Sequence, residues 1–165
     1  MALAIAELPV GGGVLAISPM PGRGGAYAAD LATLRAFAPA LVLTMTKLDE
    51  LASRQAGSLP QDLDRAGIGW AHLPIADFGA PDGTTAALWS DAAAQALAIL
   101  AAGGRVLVHC MGGCGRSGMA ALRLMVEAGE DPAAALARLR KVRPCAVEAP
   151  EQFAWAAAGQ AGSGP

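Results

Sequence analysis

The stretch from Arg105 to Gly118 constrains this chain more than any other, because it dictates a strand, a turn and a helix in immediate succession. Arg105-Val106-Leu107-Val108 is a short, apolar, β-branched run of the kind that forms a buried strand. His109-Cys110-Met111-Gly112-Gly113-Cys114-Gly115-Arg116-Ser117-Gly118 follows as a glycine-rich turn. Met119 to Glu127 then combines strong helix formers with helical spacing of its large apolar residues. Cys110 therefore falls at the end of a strand, in a turn that opens onto a helix N-terminus.

That placement has chemical consequences. Glycines at 112, 113 and 115 let backbone N–H groups converge without side-chain obstruction, and the helix adds its positive end. The loop from Met111 through Gly115 is thus expected to bind an anion, with a phosphoryl group as the natural occupant. A cysteine at such a helix start beside an arginine is expected to react as a thiolate nucleophile. Arg116 is placed to curl back and hold two phosphate oxygens with its planar fork, a geometry lysine lacks. Ser117 sets a hydroxyl near the sulfur, where it can donate to a departing thiolate. His109 is expected to face away from substrate and stiffen the loop through backbone hydrogen bonds. A purely structural buried cysteine would account for the glycines and the thiol, but not for Arg116 and Ser117 at those offsets. No Gly-Lys-Ser/Thr occurs, which excludes a Walker-type nucleotide loop.

The run resembles the His-Cys-x5-Arg-Ser/Thr signature of the cysteine-dependent protein tyrosine and dual-specificity phosphatases, with every fixed position matched. Such an enzyme needs a carboxylic acid to protonate the leaving oxygen. Asp77 and Asp82, in the Pro- and Gly-broken loop after His72, compete for that role. The dual-specificity branch carries its acid about thirty residues before the nucleophile, which implies Asp77 and leaves Asp82 as a helix cap. Pro74-Ile75-Ala76-Asp77-Phe78-Gly79-Ala80-Pro81-Asp82, together with the Gly-Gly loop, is similar to the cyclin-dependent kinase-associated phosphatase group. Met20-Pro21-Gly22-Arg23 and Leu41 to Leu51 extend the likeness, so it spans most of residues 14 to 156. Arg143 to Phe153 is similar to the segment in which tyrosine phosphatases use glutamines to place the hydrolytic water. Glu148 stands at the first such position and Gln152 at the second, so Gln152 is carried as a supporting residue and the role of Glu148 stays open.

At 165 residues the chain suits one domain, expected as a catalytic unit over 1–158 with a flexible tail over 159–165. Strand-like segments at Met1–Val10, Val14–Ser18, Leu41–Met45 and Gly69–Leu73 alternate with helical ones. The helices are expected at Asp30–Ala38, capped by Asp30, and at Leu48–Ala56, Leu59–Ala66, Thr85–Ala101, Pro132–Val142 and Pro150–Ala158. The expectation is a single α/β domain, with a mixed, largely parallel central sheet flanked by helices on both faces, as in the phosphatases it resembles.

A net charge of −2 without a basic run argues against nucleic acid or an anionic membrane as partner. Two histidines in unrelated contexts offer no metal cluster, and no cofactor is expected. Three cysteines, one of them the nucleophile, make a poor disulfide framework, so a reducing, cytoplasmic setting is expected. Cys114 is read as filling a variable loop position, the alternative being a protective disulfide with Cys110; Cys145 is read as a small hydrophobe. Arg23 is read as a loop charge, and His72, Trp70, Trp89 and Trp155 as core or interface residues. The uncharged loop interior points to a phosphorylated protein rather than a polyphosphorylated lipid. Phosphotyrosine, with phosphoserine or phosphothreonine in addition, is the expected substrate. A phosphopeptide-binding module without catalysis, and a rhodanese-like sulfurtransferase or arsenate reductase, are the competing readings. Oligomeric state is left open.

Overall fold

Period-two alternation in the strands decides which helices cover which face of the sheet. The computed structural model describes residues 2–159. Its sheet has the order β1-β2-β5-β3-β4, built from β1 (Ala6–Val10), β2 (Gly13–Ser18), β3 (Leu41–Thr44), β4 (Gly69–His72) and β5 (Arg105–His109). All pairings are parallel except the β1–β2 hairpin at one edge. Leu15 and Ile17, Leu41 and Leu43, and Val106 and Val108 turn to one face. There they pack under α4 (Gly83–Ala101), α5 (Gly115–Glu127), α6 (Pro132–Val142) and α7 (Pro150–Ala157). Ala16, Val42 and Leu107 turn to the other face. Leu34, Leu51, Leu59 and Leu63 cover them from α1 (Tyr27–Phe37), α2 (Leu48–Ser53) and α3 (Leu59–Arg65). Both faces of the sheet are therefore buried, which is why β5, the middle strand, is apolar from Val106 to Val108 without interruption.

The expected class, a single α/β domain with a largely parallel sheet between two helix layers, is the one found. Boundaries moved where tertiary partners compete. The first helix starts at Tyr27, and Asp30 does not cap it; its buried carboxylate accepts the N–H of Gly22 instead. The first strand covers only Ala6–Val10. The helix after the glycine-rich turn starts at Gly115, so Arg116 and Ser117 lie in its first turn. Asp82 caps α4 as expected, accepting from the N–H groups of Thr84 and Thr85. Beyond Gly159 the expected tail lies outside the described residues. Among the described residues no helix is long and apolar enough to cross a membrane.

The strands β2, β5 and β3 end level: His109 stands in register with Ser18 on one side and Thr44 on the other. The loop from Cys110 to Cys114 thus leaves the middle of the sheet at its carboxyl edge, where open α/β sheets form binding crevices.

Candidate active site

Cys110 is buried at the base of this loop, its Sγ 3.2 Å from the hydroxyl oxygen of Ser117 in the first turn of α5. Two glycines permit the tight wrap. Gly113 has φ +73°, and a side chain there would run into the backbone of Ser18 and Pro19 at 2.6 Å. A methyl on Gly115 would collide with the carboxylate of Glu148 and the amide of Gln152.

Arg116, with a side chain only 1 % exposed, folds back into the site. Its Nη1 and Nη2 donate to the two carboxylate oxygens of Glu50 at 2.8 and 2.9 Å, and Nη1 also donates to the carbonyl of Ile75 at 2.9 Å. Nη2 lies 3.5 Å from Asp77 Oδ1. On the remaining flank Asp77 stands near Nη2, and Nε is buried without a partner among the described residues. Burial by itself disfavours the guanidinium charge, but Glu50, Cys110 and Asp77 outweigh it and raise the Arg116 pKa. Burial likewise pushes the Glu50 carboxyl up, yet hydrogen bonds and charge from Arg116, with the N–H of Lys47, hold it below its ordinary value. Glu50 was not singled out from the sequence. Its visible signal, a glutamate three residues after a helix start, accounts for the bond from the Lys47 N–H and gives no hint of a partner 66 residues away.

His109 is fully buried and bonded at both nitrogens: Nε2 to Thr44 Oγ1 at 2.7 Å, Nδ1 to the carbonyl of Cys110 at 3.2 Å. A carbonyl can only accept, so Nδ1 carries the proton and Nε2 accepts from the threonine hydroxyl. Thr44 accepts in turn from the indole N–H of Trp70 at 2.8 Å, so that tryptophan, expected as plain core or interface, ends a relay leading to Cys110. Desolvation drives the His109 pKa down to about 4, against the opposing hydrogen bond to Cys110. The unfolded chain takes up this proton near 6.5 and the folded one only near 4. Stability associated with the neutral ring is therefore complete above about pH 6.5 and is lost as pH falls through 4, by about 3 kcal/mol in all. Urea unfolding at pH 7 and pH 4 should show a larger drop in the parent than in His109→Asn by about that amount; equal drops would contradict the buried neutral ring.

Asp77 stands on the opposite wall, its side chain 64 % exposed, with Oδ1 accepting the N–H of Phe78 at 3.0 Å. Phe78 has φ +59° and an exposed ring. This loop is held by Arg116 at Ile75, by Thr85 Oγ1 donating to Pro74, and by Gln152 Nε2 donating to the carbonyl of Gly79 at 3.2 Å. Gln152 is buried, and its carbonyl oxygen already accepts the N–H groups of Glu148 and Ala149. It ties α7 to the loop carrying Asp77.

The cysteine expectations are overturned. Cys114 neither fills an inert position nor pairs with Cys110: it is disulfide-bonded to Cys145, 31 residues on, and Cys110 is the free thiol. Cys145 is no simple hydrophobe, and the inference of a reducing compartment from cysteine count loses its premise. The two cysteines meet because the connection between α6 and α7 runs beneath the loop from Cys110 to Cys114. There Arg143 donates to the carbonyls of Gly113 and Gly112 at 2.8 Å each. Arg23, read as a loop charge, leans toward the same loop, its Nη2 3.9 Å from where a Gly112 side chain would begin.

Fold and site together define a cysteine-based phosphatase, a phosphoric monoester hydrolase. The model of a family described as "Polymorphic toxin system, DSP-PTPase phosphatase" (Tc-R-P) matches residues 19–130, more than half of the chain, and the chain belongs to that family. No curated protein matches it in sequence. Among solved structures it is similar to kinase associated phosphatase (KAP) with its catalytic-site cysteine substituted by serine. That likeness has a TM-score of 0.83 and 21 % identity, over 98 % of this chain and 96 % of that one. Tk-PTP in its active form gives 0.70 and 28 %, over 89 % and 91 %. PTPMT1 in complex with PI(5)P gives 0.73 and 19 %, over 94 % and 95 %.

Proposed function

We propose that this chain hydrolyses phosphotyrosine in proteins, and phosphoserine or phosphothreonine in addition, through a cysteinyl-phosphate intermediate. The observation that carries this reading is the divided fork of Arg116: Glu50 occupies one edge, while Nε is buried beside Cys110's loop with no hydrogen-bond partner among the described residues. A phosphoryl group meets that need.

In the first step Cys110 thiolate attacks phosphorus in line. Arg116 and the N–H groups of residues 111 to 115 hold the equatorial oxygens, and Asp77 gives its proton to the leaving oxygen. The P–O bond breaks as the S–P bond forms. Water then attacks phosphorus, Asp77 takes its proton, and the S–P bond breaks. Phosphate departs and the thiolate is met by the hydroxyl of Ser117, already 3.2 Å away. His109 holds the Cys110 carbonyl and so keeps the loop in shape. The side chains of Met111 to Gly115 add no charge, which favours a single phosphate over a phosphoinositide headgroup. The exposed ring of Phe78 beside Asp77 gives a phenyl group an apolar neighbour.

The test is hydrolysis of para-nitrophenyl phosphate with chelator present, followed by phosphotyrosine, phosphoserine and phosphothreonine peptides and PI(5)P. Tyrosine peptides should be preferred. Phosphopeptide binding without release of phosphate would replace the reading by a non-catalytic module; transfer of sulfur from thiosulfate to cyanide without phosphate release would replace it by a sulfurtransferase. Asp77→Asn should lower kcat by about 10²-fold. Asp82→Asn, which keeps a capping side chain, should not. The reverse pattern would move the acid to Asp82.

A further inference from the structure

We propose that Cys145 is a positioning residue for the phosphate loop, and that its bond to Cys114 makes turnover depend on this pair staying oxidised while Cys110 stays a thiol. The proposal rests on the phosphatase reading above.

Three successive carbonyls of the loop are held from behind by the connection between α6 and α7. Arg143 donates to Gly112 and Gly113, and the N–H of Val147 donates at 3.2 Å to the carbonyl of Cys114, which also accepts the N–H of Gly118 in α5 at 2.8 Å. Every peptide bond here is trans, so each carbonyl points opposite to the N–H that follows it. Pinning the carbonyls of 112, 113 and 114 outward therefore aims the N–H groups of Gly113, Cys114 and Gly115 inward, toward the phosphate.

The buttress itself is not relaxed. Val147 has φ +68°, a left-handed conformation that a β-branched residue adopts only where its surroundings impose it. Arg140 imposes it in part, donating to the carbonyls of Ala146 and Val147 at 2.9 Å each. The Cys114–Cys145 bond, joining loop to connection two residues before Val147, supplies the covalent part. Severing that bond lets Val147 return to an ordinary φ and withdraw its N–H from Cys114. The loop then loses an anchor on the side away from substrate. Reduction by a dithiol delivers two electrons and two protons to the sulfurs of Cys114 and Cys145, the reductant closing to its own disulfide, and no bond to Cys110 changes.

The experiment is a titration of the purified parent with dithiothreitol. Thiols are counted by alkylation and mass spectrometry, and activity is read on para-nitrophenyl phosphate well below the melting temperature. Absence of turnover in protein with one free thiol would fail the phosphatase reading rather than this one. With turnover present, passing from one thiol to three should lower kcat/KM by roughly tenfold or more. The inhibition constant of inorganic phosphate should rise in parallel, and both changes should reverse on reoxidation. Cys145→Ser should sit at the lower level and ignore the reductant. Unchanged or increased activity in the three-thiol protein, or a Cys145→Ser protein that still responds to dithiothreitol, would overturn the proposal. If that variant does not fold, the titration of the parent decides alone.

Discussion

Cys110→Ser should reduce turnover of para-nitrophenyl phosphate by at least about 10⁴-fold while leaving the fold and phosphate binding in place. Serine is nearly isosteric, and Oγ would keep its neighbour Ser117, so a melting temperature within a few degrees of the parent is expected. What disappears is the thiolate, and an alkoxide cannot be reached near neutral pH in its stead. The Arg116 fork and the converging N–H groups remain, so inorganic phosphate or a phosphotyrosine peptide should still bind, measured by calorimetry. A Cys110→Ser protein as active as its parent would exclude a cysteinyl-phosphate intermediate. A variant that binds but does not turn over is also the natural bait for physiological phosphoproteins.

Arg116→Lys should lower kcat/KM by about 10²- to 10³-fold, an effect comparable to removing preorganised donors from other anion sites. Lysine keeps the charge, but its single nitrogen cannot face Glu50 and a phosphate at once. Arg116 spends two nitrogens on Glu50 and keeps Nε for the incoming oxygen, so the loss should fall on KM, kcat and phosphate inhibition together. Glu50→Gln offers the complementary measurement. It preserves shape and removes the charge that orients the fork, and a loss of roughly tenfold is expected, concentrated in KM and in the inhibition constant of phosphate. Arg116 is buried and Glu50 is the carboxylate that pairs with both its outer nitrogens; deleting the glutamate outright, as in Glu50→Ala, should therefore also destabilise the fold. Near-parental kinetics in Arg116→Lys would mean that the fork is not the phosphate clamp.

Asp82 illustrates what local chemistry can resolve. Asp82 precedes a run of helix formers after Pro81, and it caps α4; Asp77 lies in a loop with no helix to cap, and it stands beside the arginine. The central strand, the glycine turn and the helix that follows were legible for the same reason: each is specified by residues adjacent in the chain. Asp30 misled because capping propensity competes with a tertiary acceptor role, and the N–H of Gly22, eight residues back, claimed its carboxylate. Trp70, Thr44 and Glu50 carried no readable signal, since a tryptophan, a threonine and a first-turn glutamate are ordinary in those settings. Cys114 and Cys145 misled for a different reason. The motif directs attention to Cys110, and the partner of Cys114 depends on where the connection between α6 and α7 crosses.

The amino-acid sequence by itself determined the layered α/β arrangement and the strand-turn-helix that carries the loop from His109 to Ser117, because period-two strands, capped helices and a strand-turn-helix motif are short-range physics. Tertiary structure alone decided what surrounds that loop: the glutamate that orients its arginine, the indole and hydroxyl that set its histidine, and the disulfide that ties it from behind. Those partners come from 31 to 66 residues away. Their proximity follows from parallel strands ending level at one edge of the sheet, a property of the assembled fold that no local pattern encodes.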